Sequence, residues 1–163
     1  MTLIAEYPDL VVYAPEHPLH SRENGGQVTI RPVPDFEQRY DLPLELAARY
    51  MHLSMVVGEA FTNIMRREGI DVVRINYLDL GNWAYKDPRK KPHVHLHLFG
   101  RTLTEKHPAD DPGYQAFPNV FFFPDKETGY YKLFKPLTIM DCSNIKTEMN
   151  ILLQTPKYHR LKF

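Results

Sequence analysis

Cysteine is nearly absent from this chain. The single Cys142 excludes an internal disulfide and fits a reducing compartment. Long apolar runs are also missing, and nothing approaches the roughly 18 residues of a membrane-spanning helix. Residues Met1 to Leu10 lack a basic start followed by an apolar stretch, so no signal peptide is expected and the cytoplasm is the default location. There is no excess of charge of either sign: the formal net charge is zero, which gives no general pull toward nucleic acid or an acidic membrane. Internal repeats and low-complexity tracts are absent. What remains is an ordinary globular composition, 43% hydrophobic and 25% charged, over 163 residues. That is enough for one domain with a sizeable core. Fourteen prolines cut it into short elements with irregular connections.

Against this plain background one stretch stands out, His93-Val94-His95-Leu96-His97-Leu98-Phe99. Its histidines alternate with apolar residues, the period of a β-strand. In a strand the imidazoles share one face, about 7 Å between neighbours, and Val94, Leu96 and Leu98 point into a core. Three of the eight histidines lie within these residues, a density that a purely structural strand does not need.

The surrounding elements are legible from periodicity. Leu10–Tyr13 and Gln27–Arg31 read as short strands, separated by a Pro-, His- and Gly-rich loop. From Leu44 to about Glu68 the apolar residues Leu46, Tyr50, Leu53, Val57, Phe61 and Ile64 recur every three or four positions. This predicts a long amphipathic helix, capped by Asp41 with Pro43 in its first turn and ended by Gly69. His52 falls on it as a polar-face or half-buried residue. Val72–Leu80 alternates as a strand, and a polar connector, Tyr85–Pro92, joins it to the histidine strand as a long-looped hairpin. The connector is expected beside the imidazole face. Beyond Arg101, Thr102–Pro118 shows little periodicity. Asn119–Phe123 reads as a strand, Lys126–Gly129 as a turn and Tyr130–Phe134 as a further strand. Ser143 is placed to cap a short final helix carrying Ile145, Met149, Leu152 and Leu153. The class is α+β: an antiparallel sheet of about five strands with one long and one short helix.

Three kinds of chemistry fit a row of imidazoles. Metal binding is one, but positions i, i+2 and i+4 of a flat strand span about 13 Å and cannot all reach one ion. The next glutamate, Glu105, lies past a Gly-Arg break, so a cupin-like ligand set is poorly matched. Nucleophilic catalysis is the second: neutral imidazole attacks phosphorus near pH 7, and neighbouring rings hydrogen-bond phosphoryl oxygens. The third is a solvent-facing row with no role.

The seven residues His93–Phe99 resemble the signature of the histidine triad superfamily, HφHφHφφ with φ apolar, at every position. Arg101 follows where that family often has an arginine. Asn82 lies eleven residues before His93, the place of a family asparagine, and Gly26–Pro32 looks like the family's earlier strand. The resemblance covers about Leu10 to Arg101 and leaves residues 102–163 as a C-terminal extension of unassigned role. It implies about five antiparallel strands with helices on one side, often in a homodimer. It also implies hydrolysis or transfer at the α-phosphorus of a nucleotide or dinucleotide; no cofactor and no metal ligand is assigned from the sequence. Carried over by position, His95 is the nucleophile, His93 orients the site, His97 meets a phosphoryl oxygen or the bridging atom, and Asn82 contacts the nucleotide. The branch with His-Pro-His-x-Gln is disfavoured by His97.

One interval departs from the family. A Gly-Gln-Ser or Gly-Gln-Thr step is replaced by Asp87-Pro88-Arg89-Lys90-Lys91. Arg89 and Lys90 are therefore candidates for holding a more anionic leaving group, a polyphosphate or phosphosugar, against the alternative of a solvated charge run. Two other classes stay open, a nucleotide-binding protein without turnover and a His-ligated metalloprotein. The aromatic cluster Phe121, Phe122, Phe123, Tyr130, Tyr131 and Phe134 reads as core or dimer contact rather than a base-stacking platform. The basic tail of Lys157, His159, Arg160 and Lys162 reads as a solvated terminus or a flap over a partner's site.

Overall fold

The computed structural model describes residues 1–105 and 130–161. Its sheet has five strands: β1 (Thr2–Glu6), β2 (Leu10–Ala14), β3 (Gln27–Pro32), β4 (Val72–Asp79) and β5 (Leu96–Thr102). Their order across the sheet is β1-β2-β3-β5-β4, and every neighbouring pair is antiparallel. With the long helix α1 (Leu44–Arg67) and the short α2 (Ile139–Leu153), this is the α+β architecture expected from the sequence. No helix among the described residues is long and apolar enough to cross a membrane.

The apolar stripe of α1 is why it lies on the sheet. Leu46, Tyr50, Leu53, Val57, Phe61 and Ile64 are all buried, packed with Val28, Ile30, Leu96 and Leu98 from the sheet. The helix ends at Gly69, whose φ of 79° is left-handed. Gly69 N–H donates to Arg66 and Ile70 N–H to Met65, the double bond pattern of a glycine-terminated helix. α2 packs against α1 and β1, and a two-pronged ion pair ties it to the loop before β3: Arg22 Nε to Asp141 Oδ2 at 2.6 Å and Nη2 to Oδ1 at 2.8 Å.

Several local expectations are corrected. β1 was not anticipated, because a register shift between Leu3 and Ala5 breaks the alternation that would reveal it. Asp41 does not cap α1. Its carboxylate accepts the Gln38 N–H at 3.1 Å and closes the short 3-10 turn Arg39–Asp41, leaving Pro43 at the cap position. Ser143 lies inside α2, which begins four residues earlier. Thr138 caps it by accepting the Asp141 N–H at 3.0 Å, while Asp141 accepts the Thr138 N–H at 2.7 Å. Tyr130–Leu133 is a 3-10 turn and not a strand. The expected strand Asn119–Phe123 and turn Lys126–Gly129 lie outside the described residues.

The loop from Pro15 to Gly26 is pinned onto β5 by two glycines. Gly100 N–H donates to Gly26 O at 3.1 Å, and a Cβ on Gly25 would sit 2.1 Å from Gly100 O. Gly25 also has φ of 124°, which L side chains rarely adopt. Gly25→Ala should cost about 3 kcal/mol in chemical denaturation, from strain plus a backbone clash. Gly69→Ala, with open space around it, should cost only about 1 kcal/mol. Equal costs at the two sites would refute the close approach.

Candidate active site

β5 lies between β3 and β4, and the histidine row enters it from one end. The expected strand over His93–Phe99 is shortened: β5 begins at Leu96, so only His97 of the row is inside the ladder. The cause lies in the neighbours. β3 ends at Pro32, which has no N–H to offer, and β4 ends at Asp79, paired with Leu96. Val94 N–H instead donates to Phe36 O at 2.7 Å. The lead-in stays extended, so the alternation survives: Val94, Leu96 and Leu98 are buried in the core.

The rings lean together, closer than the roughly 7 Å repeat of the extended backbone. Centroids are 4.9 Å apart for His93 and His95 and 4.6 Å for His95 and His97, and the row continues to Phe99 at 5.6 Å. Among the described residues no three His, Cys, Asp or Glu side chains are grouped as a metal ion would need. The His95 ring donates through Nδ1 to the His93 carbonyl at 2.9 Å. A carbonyl can only accept, so the proton is on Nδ1 and Nε2 carries the lone pair. Burial pushes the His95 pKa below its ordinary value, helped by the neighbouring His93 ring and the Arg31 guanidinium. The His93 carbonyl bond and Asp79 oppose the shift. His93 uses the same device, Nδ1 to Lys91 O at 3.2 Å.

A cleft of about 300 Å³ opens beside these two rings, lined by Leu80, Gly81, Ala84, Lys90, Lys91, His93 and His95. The connector between β4 and β5 forms its outer wall. The structure thus brings Lys90 to the histidines, and Lys91 with it. Arg89 is not in the cleft wall. Its side chain is 87% exposed, and its guanidinium grips Asp87 at 2.9 and 3.0 Å. Asn82 opens the 3-10 turn Asn82–Lys86 next to Gly81. A larger cavity, about 530 Å³, lies on the α1 side of the sheet, is mostly apolar and has no histidine in its wall.

Sequence reasoning missed the contribution of β3. Gln27 and Thr29 are buried and both reach His97, with Gln27 Nε2 at 2.9 Å and Thr29 Oγ1 at 3.3 Å from Nδ1. The available signal was the polar parity of Gln27, Thr29 and Arg31 within a central strand. Below the row, Phe99 meets the buried His20 ring, whose Nε2 is 3.9 Å from Glu105 Oε1. Glu105 forms a buried two-pronged ion pair with Arg101, the arginine after the triad.

No family model and no curated protein matches the chain. Solved structures do. A hypothetical histidine triad nucleotide-binding protein from Sulfolobus tokodaii superposes with TM-score 0.56 at 16% identity, over 99% of this chain and 90% of that one. A Hit-like protein involved in cell-cycle regulation from Bartonella henselae gives 0.53 at 12% identity, over 90% and 85%. A histidine triad protein from Bradyrhizobium japonicum gives 0.52 at 15%, over 90% and 89%. At these identities the likeness is one of architecture, and together with the sheet order and the helices packed on it, it identifies the fold of this chain as HIT-like.

Proposed function

We propose that this chain is a nucleotide hydrolase or nucleotidyltransferase acting at the α-phosphorus through a nucleotidyl-histidine intermediate on His95. The observation that carries this is the Nδ1–H bond of His95 to the His93 carbonyl, which leaves Nε2 as an unprotonated nucleophile at the wall of a cleft. Nε2 forms a bond to phosphorus, the bond from phosphorus to the leaving group breaks, and the His93 carbonyl offsets the positive charge the ring acquires. Water or a second acceptor then attacks phosphorus and the P–N bond breaks. His93 orients the nucleophile, His97 contacts a phosphoryl or bridging oxygen, and Asn82 contacts the nucleotide. The fold neighbour from Sulfolobus tokodaii described as nucleotide-binding supports the same ligand class. The reading includes a homodimer, carried by the resemblance alone, and a cytoplasmic location, carried by the single cysteine and the plain N-terminus. Incubation with a panel of nucleotides, followed by product identification and intact mass, tests it.

Lys90 and Lys91 give the cleft a positive wall where the family has small residues. We assign them to the leaving group. Arg89 joins them only by releasing Asp87. Replacing Lys90 and Lys91 by Ala should raise KM roughly tenfold for a dinucleoside polyphosphate, about 1.4 kcal/mol, and leave a nucleotide ester with an uncharged leaving group nearly unaffected. The difference should shrink as salt rises. An equal loss for both substrates would return these lysines to a solvated charge run.

A further inference from the structure

The third histidine is held differently from the first two. His93 and His95 turn Nδ1 back to a carbonyl two residues earlier, whereas His97 turns Nδ1 across to β3. There it meets Gln27 Nε2 at 2.9 Å and Thr29 Oγ1 at 3.3 Å. Which end of the Gln27 amide faces the ring is settled by a third group. The Leu19 backbone N–H lies 2.6 Å from Oε1, and an N–H can only donate, so the atom it meets is oxygen. The amide nitrogen then falls on His97 and donates to it. Nδ1 of His97 therefore accepts, and the proton of the ring lies on Nε2. Exposures of 3% for Gln27, 1% for Thr29 and 9% for His97 keep this arrangement out of bulk water.

The same amide opposes a second proton. Protonated His97 would present an N–H at Nδ1 to the Gln27 N–H at 2.9 Å, two donors face to face in a buried place, with the Thr29 hydroxyl at 3.3 Å as the more distant acceptor. We infer that Gln27 is a positioning residue that keeps His97 a neutral Nε2–H donor, so that the site favours leaving groups departing as phosphate oxyanions over amines. This rests on the nucleotidyl-transfer reading above.

The chemistry follows from acid strength. A neutral imidazole N–H is too weak an acid to surrender its proton. It hydrogen-bonds the substrate oxygen and keeps the hydrogen. When His95 Nε2 bonds to phosphorus and the P–O bond breaks, the electron pair stays on the departing oxygen. A phosphate or polyphosphate holds that pair unaided. An amine has to be protonated to leave, and His97 in this state supplies no proton. Lys90 and Lys91 on the cleft wall match the anion that departs. Among the described residues, the titratable group against His97 is His95, which in turn meets His93 and feels Arg31 and Asp79. Beyond Phe99 lies the His20, Arg101 and Glu105 cluster.

Nitrogen-15 NMR of the native chain should show His97 unprotonated at Nδ1 and protonated at Nε2 throughout pH 6 to 8. This readout depends on no variant. Gln27→Glu should reverse the bias, because a carboxylate accepts both the Leu19 N–H and a His97 Nδ1–H and so favours the imidazolium, a competent acid. At pH 6 its kcat/KM for a nucleoside phosphoramidate, relative to a dinucleoside polyphosphate, should rise roughly tenfold or more over native. Gln27→Met, which removes the contact without adding an acceptor, should depress both substrates together. A native His97 that carries its proton on Nδ1, or titrates near 6.5, overturns the role of Gln27. So does a Gln27→Glu chain with an unchanged substrate ratio. Absence of any turnover in the native protein overturns the transfer reading and the substrate preference with it, while the NMR tautomer still decides the role of Gln27.

Discussion

His95→Ala should abolish the nucleotidyl adduct and lower kcat/KM by about 10⁴ or more, with nucleotide binding largely retained. The residue supplies the atom that bonds phosphorus, and neither neighbour stands in its place: His97 turns Nδ1 to Gln27, and His93, although held by the same kind of carbonyl bond as His95, sits at the outer end of the row. His93→Ala should be milder. The group that orients His95 is the backbone carbonyl of residue 93, which the substitution keeps. The adduct should therefore form on the His93→Ala chain, more slowly. The pH profile gives an independent check. A proton on Nε2 removes the nucleophilic lone pair, so activity falls as pH drops through the His95 pKa. Burial lowers that pKa, so the acid limb of kcat/KM should lie below the ordinary histidine value of 6.5. Intact mass after nucleotide exposure decides the matter. An adduct persisting in His95→Ala would move the nucleophile elsewhere. No adduct and no turnover, with binding intact, would make the protein a nucleotide binder. Stoichiometric zinc or iron lost on His93→Ala would replace phosphorus chemistry with a metal site.

The second large effect concerns stability. Glu105→Gln should destabilise the fold by about 3–5 kcal/mol, read from the urea midpoint. The side chains of Arg101 and Glu105 are 1% and 0% exposed, and Arg101 Nη2 donates to Glu105 Oε2 at 2.9 Å in one arm of the pair. Removing the carboxylate charge takes from the buried guanidinium its two-pronged ion pair with Glu105. Replacing both residues by Met should recover most of the loss, because two apolar side chains do not need each other. A single substitution costing under about 1 kcal/mol would show that the pair is not buried in solution. His20 beside it adds an acid sensitivity. Burial lowers its pKa to about 4, although Glu105 pulls it upward. The unfolded chain takes up the His20 proton below about 6.5 and the folded one only near 4, so stability should fall between those values by up to about 3 kcal/mol and level off below. In His20→Gln that part of the pH dependence should vanish.

Much of the architecture was readable because one face of each main element is buried. The stripe from Leu46 to Ile64 had to be helical to hide its apolar residues together, and β3, β4 and β5 announced themselves by alternation. Elements failed where a local device overrides periodicity. The bulge near Leu3 hid β1, and the Thr138–Asp141 capping box started α2 ahead of Ser143. The histidine row could be recognised because its spacing is local, within one run of chain.

What the sequence by itself determined is the row His93, His95 and His97, its apolar backing, and the cations that precede it. These lie within a dozen residues and depend only on the two-residue period of extended chain. Tertiary structure alone decided which nitrogen of the His97 ring carries the proton, and which cation reaches the cleft. The first depends on Gln27, brought to His97 across 70 residues by strand pairing, and on Leu19, brought to Gln27 by the loop pinned at Gly25 and Gly100. The second depends on a turn that hands Arg89 to Asp87 and leaves Lys90 facing the histidines. Hydrogen-bond partners drawn from distant segments carry no periodic signal, so only the folded chain shows them.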